Sequence, residues 1–233
     1  MAPVIAITGA SRGVGEDLVR HFISQNWITI GLSRNTKKLS ELQTELGNNF
    51  FYYELDVSSG DNVNKIFKQI KKKFNRINAF VNNAAIFKWS SLEKCTDSDI
   101  NSIIDTNLKG SIFTIRSAIK QKCFCKGGRI INISSVAGLH GIEGQAIYSA
   151  SKFGLKGFSE AVGQELLHQK ILLTTIYPGG INTPLWNKKN EYPGDTSQLL
   201  KPGDITSTID FIVHLPNNVY LKDITIFPTN EWH

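Results

Sequence analysis

Cysteine is scarce in this chain of 233 residues: there are three, with Cys95 alone and Cys123 and Cys125 separated by a single phenylalanine. Three thiols cannot close a disulfide framework, and a one-residue gap is too short for the usual zinc knuckle, so the expectation is a reducing cytoplasm and no structural metal. Long apolar runs are missing too. The first, Val4 to Ile7, ends at Thr8-Gly9 and is too short for a secretion signal, and no stretch approaches the roughly 18 apolar residues of a membrane span. A soluble protein with no membrane partner is expected. Lys and Arg (26) outnumber Asp and Glu (20), giving a formal net charge of +6. The excess forms no nucleic-acid patch, because Lys65, Lys68, Lys71, Lys72 and Lys73 share one predicted helix without interleaved aromatics, so a solvated face explains them and no nucleic-acid partner is expected. Linkers, internal repeats and low-complexity tracts are also lacking, which predicts a single domain over residues 1–233.

What the chain does have is regular alternation. Apolar runs at 4–7, 28–32, 50–55, 79–81, 129–133, 172–176 and 224–227 read as strands. Between them, residues 37–46, 61–74, 97–122, 146–168 and 205–213 carry apolar side chains at helical spacing, as do Leu18, Val19, Phe22 and Ile23. Strands separated by helices need crossover connections, so the sheet is parallel, covered on both faces, and doubly wound. The longest segment without periodicity, about 178–200, contains Pro178-Gly179-Gly180 and Pro193-Gly194, and is expected to be a functional substrate loop.

The run Thr8-Gly9-Ala10-Ser11-Arg12-Gly13-Val14-Gly15 stands where the first strand hands over to the first helix. Glycines there let the backbone approach a pyrophosphate, and the helix N-terminus offers unpaired N–H groups, so Gly9, Ser11, Arg12, Gly13, Val14 and Gly15 are candidate dinucleotide ligands. A tight structural turn is the alternative. NAD sites place an acid on the ribose about 20 residues further on. Here the second strand ends in Ser33-Arg34-Asn35, and no carboxylate follows until Glu41. Arg34 with Arg12 could clasp a 2′-phosphate, which predicts NADP(H) as the cofactor.

Tyr148 and Lys152 are four residues apart on one predicted helix, hence on one face. An adjacent ammonium favours phenolate, so the tyrosine is expected to have a lowered pKa and to exchange a proton with a carbonyl oxygen. Ser134 and Ser135 end the fifth strand, at the sheet edge where ligands bind in open α/β folds, though serines there could merely cap a turn.

With these residues in view the sequence resembles the short-chain dehydrogenase/reductase (SDR) family over nearly its whole length. The motifs come in the family's order: Thr8-Gly9-x-x-x-Gly13-x-Gly15, Asp56, Asn82-Asn83-Ala84-Ala85, Asn107, Ser135, Tyr148-x-x-x-Lys152, and Pro178-Gly179 with Thr183. The resemblance implies a Rossmann-type, seven-stranded parallel sheet and a catalytic tetrad of Asn107, Ser135, Tyr148 and Lys152. Ser135 is preferred to Ser134 because the family's serine lies thirteen residues before its tyrosine. It also implies that Asp56 and Val57 border the adenine, that Asn83 and Ala84 support the cofactor channel, that Pro178, Gly179 and Thr183 reach the nicotinamide end, that Tyr148 and Lys152 also contact the cofactor, Lys152 at the nicotinamide ribose, and that Asn107 holds a water linking Lys152 to solvent. Plainer roles stay open: Asp56 could cap a helix, and the asparagine pair could close a turn.

Three features depart from the family pattern. Ala85 stands where glycine is usual, the ending Ile224-Thr225-Ile226-Phe227-Pro228 lacks the glycine-rich finish of acyl-carrier-protein reductases, and the segment before the sixth strand lacks the usual Gly and Asn. The expected activity is NADPH-dependent interconversion of a carbonyl compound and its alcohol; a catalytically silent NADP-binding regulator is the rival, disfavoured because Tyr148 and Lys152 are both present. Ile86, Phe87, Trp89, Leu139, His140, Ile142, Leu185, Trp186 and Tyr192 are the candidate substrate walls, with Lys88 and Lys188 facing solvent. They suit a small uncharged, partly hydrophobic substrate. Apolar residues on the two long helices (Ile112, Phe113, Ile115; Phe153, Leu155, Phe158, Val162) suggest a homodimer or homotetramer.

Overall fold

The structure, a computed structural model, describes residues 2–186 and 195–229. Its centre is β1 (Val4–Thr8), whose alternate side chains serve opposite faces. Val4 and Ala6 enter one apolar core, and Ile5 and Ile7 the other. That period-two split is what a strand covered on both sides requires. The remaining strands are β2 (Ile28–Ser33), β3 (Phe50–Glu54), β4 (Ile77–Asn82), β5 (Phe124–Ile133), β6 (Leu172–Pro178) and β7 (Asp223–Ile226). All pair in parallel, in the order β3-β2-β1-β4-β5-β6-β7. The helices α1 (Gly13–Ser24), α2 (Thr36–Leu46) and α7 (Pro202–His214) bury Leu18, Leu39 and Ile209 on one face. On the other face, α3 (Gly60–Phe74), α5 (Gly110–Lys120) and α6 (Ala146–Leu167) bury Phe67, Ile115 and Leu166. The strand order reverses between β1 and β4, which opens a crevice at their carboxyl ends.

Two elements differ from the sequence expectation. The stretch read as one helix over 97–122 is α4 (Asp97–Ile104), a π turn at Asp105–Lys109, and then α5. The wide turn lets Gly110 lie against β3's exit, where a β-carbon would meet Val57 Cγ2 at 2.8 Å. β5 begins at Phe124, five residues before the expected start at Arg129, with a register shift opposite Ile77 and Ala79. Within the added stretch the Gly127 N–H donates to the Lys170 carbonyl (2.8 Å), and the strand runs through.

Arg129 is the most deeply buried arginine, 3% exposed. Its Nη2 donates to the carbonyls of Leu215 (2.6 Å) and Pro216 (3.0 Å), and both terminal nitrogens stand 3.5 Å from the Val219 carbonyl. The guanidinium thus caps the C-terminus of α7 and ties its exit to β5. Of the residues expected to pair subunits, Ile115, Leu155 and Val162 belong to the interior instead, while Phe153 is exposed and Ile112, Phe113 and Phe158 are half-buried. Among the described residues no helix is long and apolar enough to cross a membrane.

Candidate active site

The crevice at the carboxyl ends of β1 and β4 is a cavity of about 730 Å³. One end is walled by Arg12, Ser33, Arg34 and Asp56, and the other by Ser135, Tyr148 and Lys152. Gly9, Ser11, Gly13, Val14, Val57, Asn83, Ala84, Pro178, Gly179 and Thr183 also line it. Gly15 does not; it backs the loop from behind, where a β-carbon would collide with the Gly9 carbonyl oxygen. Gly9 itself has φ +67°, and a β-carbon on it would come within 2.8 Å of Asn83 Nδ2. The loop is fastened to β4: Thr8 Oγ1 accepts from the N–H groups of Asn83 (3.0 Å) and Ala84 (3.1 Å), and Asn83 Nδ2 donates to the carbonyls of Thr8 (2.9 Å) and Gly9 (3.2 Å). An N-terminal helix end beneath a bare glycine backbone, opening on a long cavity, fits a dinucleotide.

At the outer end Ser33 Oγ donates to Ser11 Oγ (2.9 Å), between exposed Arg12 and Arg34. Asp56 is the only carboxylate among the described lining residues. Its Oδ1 accepts from the N–H (3.0 Å) and hydroxyl (2.7 Å) of Ser58, so it both closes a turn and borders the cavity.

At the inner end Tyr148 and Lys152 lie one turn apart on α6, and Lys152 Nζ donates to the Ile133 carbonyl at 2.9 Å. The ammonium stands 5.5 Å from the centre of the tyrosine ring. Of the serine pair, Ser135 hydrogen-bonds Tyr148 and also accepts from the Ala137 N–H (3.1 Å), whereas Ser134 Oγ is buried without a hydrogen bond among the described residues. The tyrosine pKa corrects the sequence expectation. Burial pushes it up to about 12, with the Ser135 hydrogen bond offsetting only part, and the same burial pulls Lys152 down to about 7. Tyr148 packs against Phe87 and Ala137, and burial drives it and Lys152 each towards the neutral form, which outweighs the expected help from the ammonium. Tyr148 therefore keeps its proton.

The depressed lysine has a thermodynamic signature. Between pH ~7 and ~10 the unfolded chain holds a proton on Lys152 that the folded chain releases, so folding stability rises with pH across that window. Thermal melting of the cofactor-free protein should show this rise, and Lys152→Met should flatten it. An unchanged slope would mean that Lys152 is solvated.

Asn107 sits in the π turn, 1% exposed. Its Oδ1 accepts from the Ile86 N–H (2.9 Å), and its Nδ2 donates to the Ile86 carbonyl (2.9 Å) and to Ser151 Oγ (3.2 Å). The side-chain amide is thus a strut between the segment after β4 and α6, and these bonds take up both amide protons.

The substrate end is aromatic. Phe87 meets Tyr148 edge-to-face (5.0 Å), Trp186 at 5.1 Å and Trp89 at 6.3 Å, with Ile86, Ile142 and Leu185 completing the wall. Leu139 and His140, expected here, do not line the cavity. After the short 3₁₀ turn Val136–Gly138 both backbone N–H groups fold back onto the Val136 carbonyl (2.8 and 3.0 Å), and His140 is left exposed. Lys88 pairs with Asp99 at 2.6 Å, away from the cavity. Lys188, Tyr192 and the Pro193-Gly194 turn lie outside the described residues. Sequence reasoning missed Ser33, Asn35 and Gln145, all of which line the cavity. Ser33 and Asn35 flank Arg34, and Gln145 precedes Tyr148 by one turn; that proximity was the available signal.

Comparison with known proteins agrees with this geometry. A 3-oxoacyl-(acyl-carrier-protein) reductase of Bos taurus is 35% identical over 191 residues, 82% of this chain and 81% of that one. Among solved structures, the closed form of serine dehydrogenase complexed with NADP+ superposes with a TM-score of 0.87 at 26% identity, covering 99% of this chain and 96% of its own. ElxO with NADP bound gives 0.88 at 28% identity, covering 98% of each. The family model described as short chain dehydrogenase matches residues 3–194, and on that match the chain belongs to the short-chain dehydrogenase family of oxidoreductases.

Proposed function

We propose that the protein is an NADP(H)-dependent oxidoreductase that interconverts a small, uncharged, partly hydrophobic carbonyl compound and its alcohol. The observation that carries this reading is a buried tyrosine, held neutral and hydrogen-bonded to Ser135, in the same cavity as the glycine loop. When bound, the nicotinamide supplies the hydride or takes it back. The chain's residues do the rest. Ser135 holds the carbonyl oxygen, Tyr148 Oη gives it the proton in reduction, and Lys152, held by the Ile133 carbonyl, restores that proton. Asn107 is a positioning residue, acting through Ile86 and Ser151. Arg12 and Arg34, with Ser33 and Ser11 between them, favour a 2′-phosphate. The name of the bovine relative supports a carbonyl substrate, and the aromatic wall argues for one without charge. Three free thiols suit a reducing cytoplasm, and the exposed Phe153 suits a homodimer or homotetramer, which sedimentation at micromolar concentration would contradict by finding a monomer.

A panel of aldehydes, ketones, quinones and 3-oxoacyl thioesters, followed by loss of NADPH, tests the reading. Turnover of uncharged carbonyls is expected, with NADPH preferred to NADH and the preference shifted towards NADH by Arg34→Asp. Turnover of anionic sugars and phosphates alone would overturn it, and a wild-type preference for NADH would overturn the cofactor choice.

A further inference from the structure

The two stretches 62–92 and 106–142 hold half of the chain's Lys and Arg and no Asp or Glu, and the fold lays them side by side. Three rungs join α3 to α5. A β-carbon on Gly60 would lie 3.7 Å from the Phe113 ring, Asn64 Oδ1 accepts from Ser117 Oγ (3.0 Å), and Lys71 Nζ donates to the Lys122 carbonyl (3.0 Å). Those rungs advance along both helices in the same direction, so the pair is parallel and presents one broad face. Val63, Ile66, Phe67 and Ile70 turn into the core, which leaves Lys65, Lys68 and Lys72 on the outer side of α3. On α5, Arg116 and Lys120 are exposed one turn apart. Other cations of these stretches are already engaged: Lys71 as above, Lys88 with Asp99, Lys109 with Asp105, and Arg129 in the interior. None of the five on the face forms an ion pair among the described residues.

We propose that this face docks the protein on a membrane surface rich in anionic lipid, without entering the bilayer. A chain whose described helices are too short or too polar to span can still lie on a membrane. The five cations repel one another with no carboxylate between them, and a sheet of fixed negative charge relieves that repulsion. The shape favours a plane. Two parallel helices packed flat on a sheet offer no element that could enter the groove of a duplex. A single strand needs bare rings on which to stack, whereas Phe51 and Phe113 at the edges already carry Lys73 (3.9 Å) and Arg116 (5.2 Å) over them. A protein partner would need an apolar anchor near the centre, and the centre here is the Asn64–Ser117 pair. None of the five cations lines the cavity, so attachment leaves its mouth clear.

Sedimentation of the full chain with vesicles tests this. Phosphatidylcholine vesicles carrying phosphatidylserine should pull the protein down at low salt, phosphatidylcholine alone should not, and added salt should release it. Each cation held near such a surface contributes roughly fivefold in affinity. Lys68→Gln with Lys72→Gln should therefore weaken binding about 25-fold, and so should Arg116→Gln with Lys120→Gln. Lys37→Gln with Lys201→Gln removes the same charge from α2 and from the residue before α7, on the other side of the sheet, and should cost less than about fivefold. All six positions are exposed, so the variants keep the fold. Equal losses from the three pairs would reduce the effect to net charge and overturn the proposal, as would a wild type that stays in solution beside the phosphatidylserine vesicles. A duplex oligonucleotide at matched phosphate concentration should leave the protein on the vesicles; if it strips the protein off, the face belongs to nucleic acid and the proposal falls.

Discussion

Tyr148→Phe is expected to cut kcat by roughly 10²- to 10⁴-fold, the contribution of a positioned proton donor, while NADPH affinity stays near the wild-type value. The substitution removes one oxygen and keeps the ring that packs edge-to-face on Phe87 at 5.0 Å, so the wall of the cavity survives. On the proposed reading the glycine loop and the arginine end of the cavity hold the dinucleotide, and the change touches neither. A defect confined to kcat and kcat/KM marks an interaction made in the transition state. Fluorescence titration with NADPH and steady-state turnover on one preparation separate the two quantities. Turnover within a few-fold of wild type would exclude Tyr148 as the acid.

Arg129→Leu should lower the free energy of unfolding by about 3–5 kcal/mol, since it deletes a buried charge on which fixed partners depend. The carbonyls of Leu215 and Pro216 would be left facing apolar β5 side chains, and the α7 C-terminus would lose its cation. Burial already lowers the pKa of this guanidinium, so the native state spends free energy to hold it there, and only its hydrogen bonds offset that cost. For a chain of this size the loss corresponds to a fall in Tm of roughly 6–20 °C. Turnover per folded molecule at low temperature should be retained, because Arg129 precedes Ile133 by more than one full pleat of β5 and lines no part of the cavity. A change below about 1 kcal/mol would show that water replaces the arginine.

Much of this molecule could be read from its residues because the signals were local. A parallel sheet covered on both faces writes itself as short β-branched runs between amphipathic helices, and the glycine loop and the Tyr148–Lys152 spacing each lie within one turn of chain. The misses share a different cause. The π turn at Asp105–Lys109 keeps the apolar period of a helix on either side and is set by the approach of Gly110 to Val57, a contact between residues 53 positions apart. The first five residues of β5 lie outside the apolar run at 129–133, and the bond from Gly127 to Lys170 joins residues far apart in the chain. The tyrosine pKa was read with the wrong sign because charge proximity is visible in a sequence and desolvation is not. Leu139 and His140 were placed by adjacency to Ser135, and a single 3₁₀ turn rotates them away. Gln145 carries no charge and belongs to no motif, and only its place one turn before Tyr148 points to the cavity it lines.

The clasp between Thr8 and Asn83 has a kinetic consequence. Because the glycine loop is already bonded to the end of β4, an arriving nucleotide meets a surface that needs no ordering, and the entropy of fixing that backbone was spent in folding. Encounter, not rearrangement, then limits association at this end of the cavity. Its rate should be raised by the field of Arg12 and Arg34 and should decline as added salt shortens the Debye length. Differences in affinity between one dinucleotide and another will consequently reside in how long each stays.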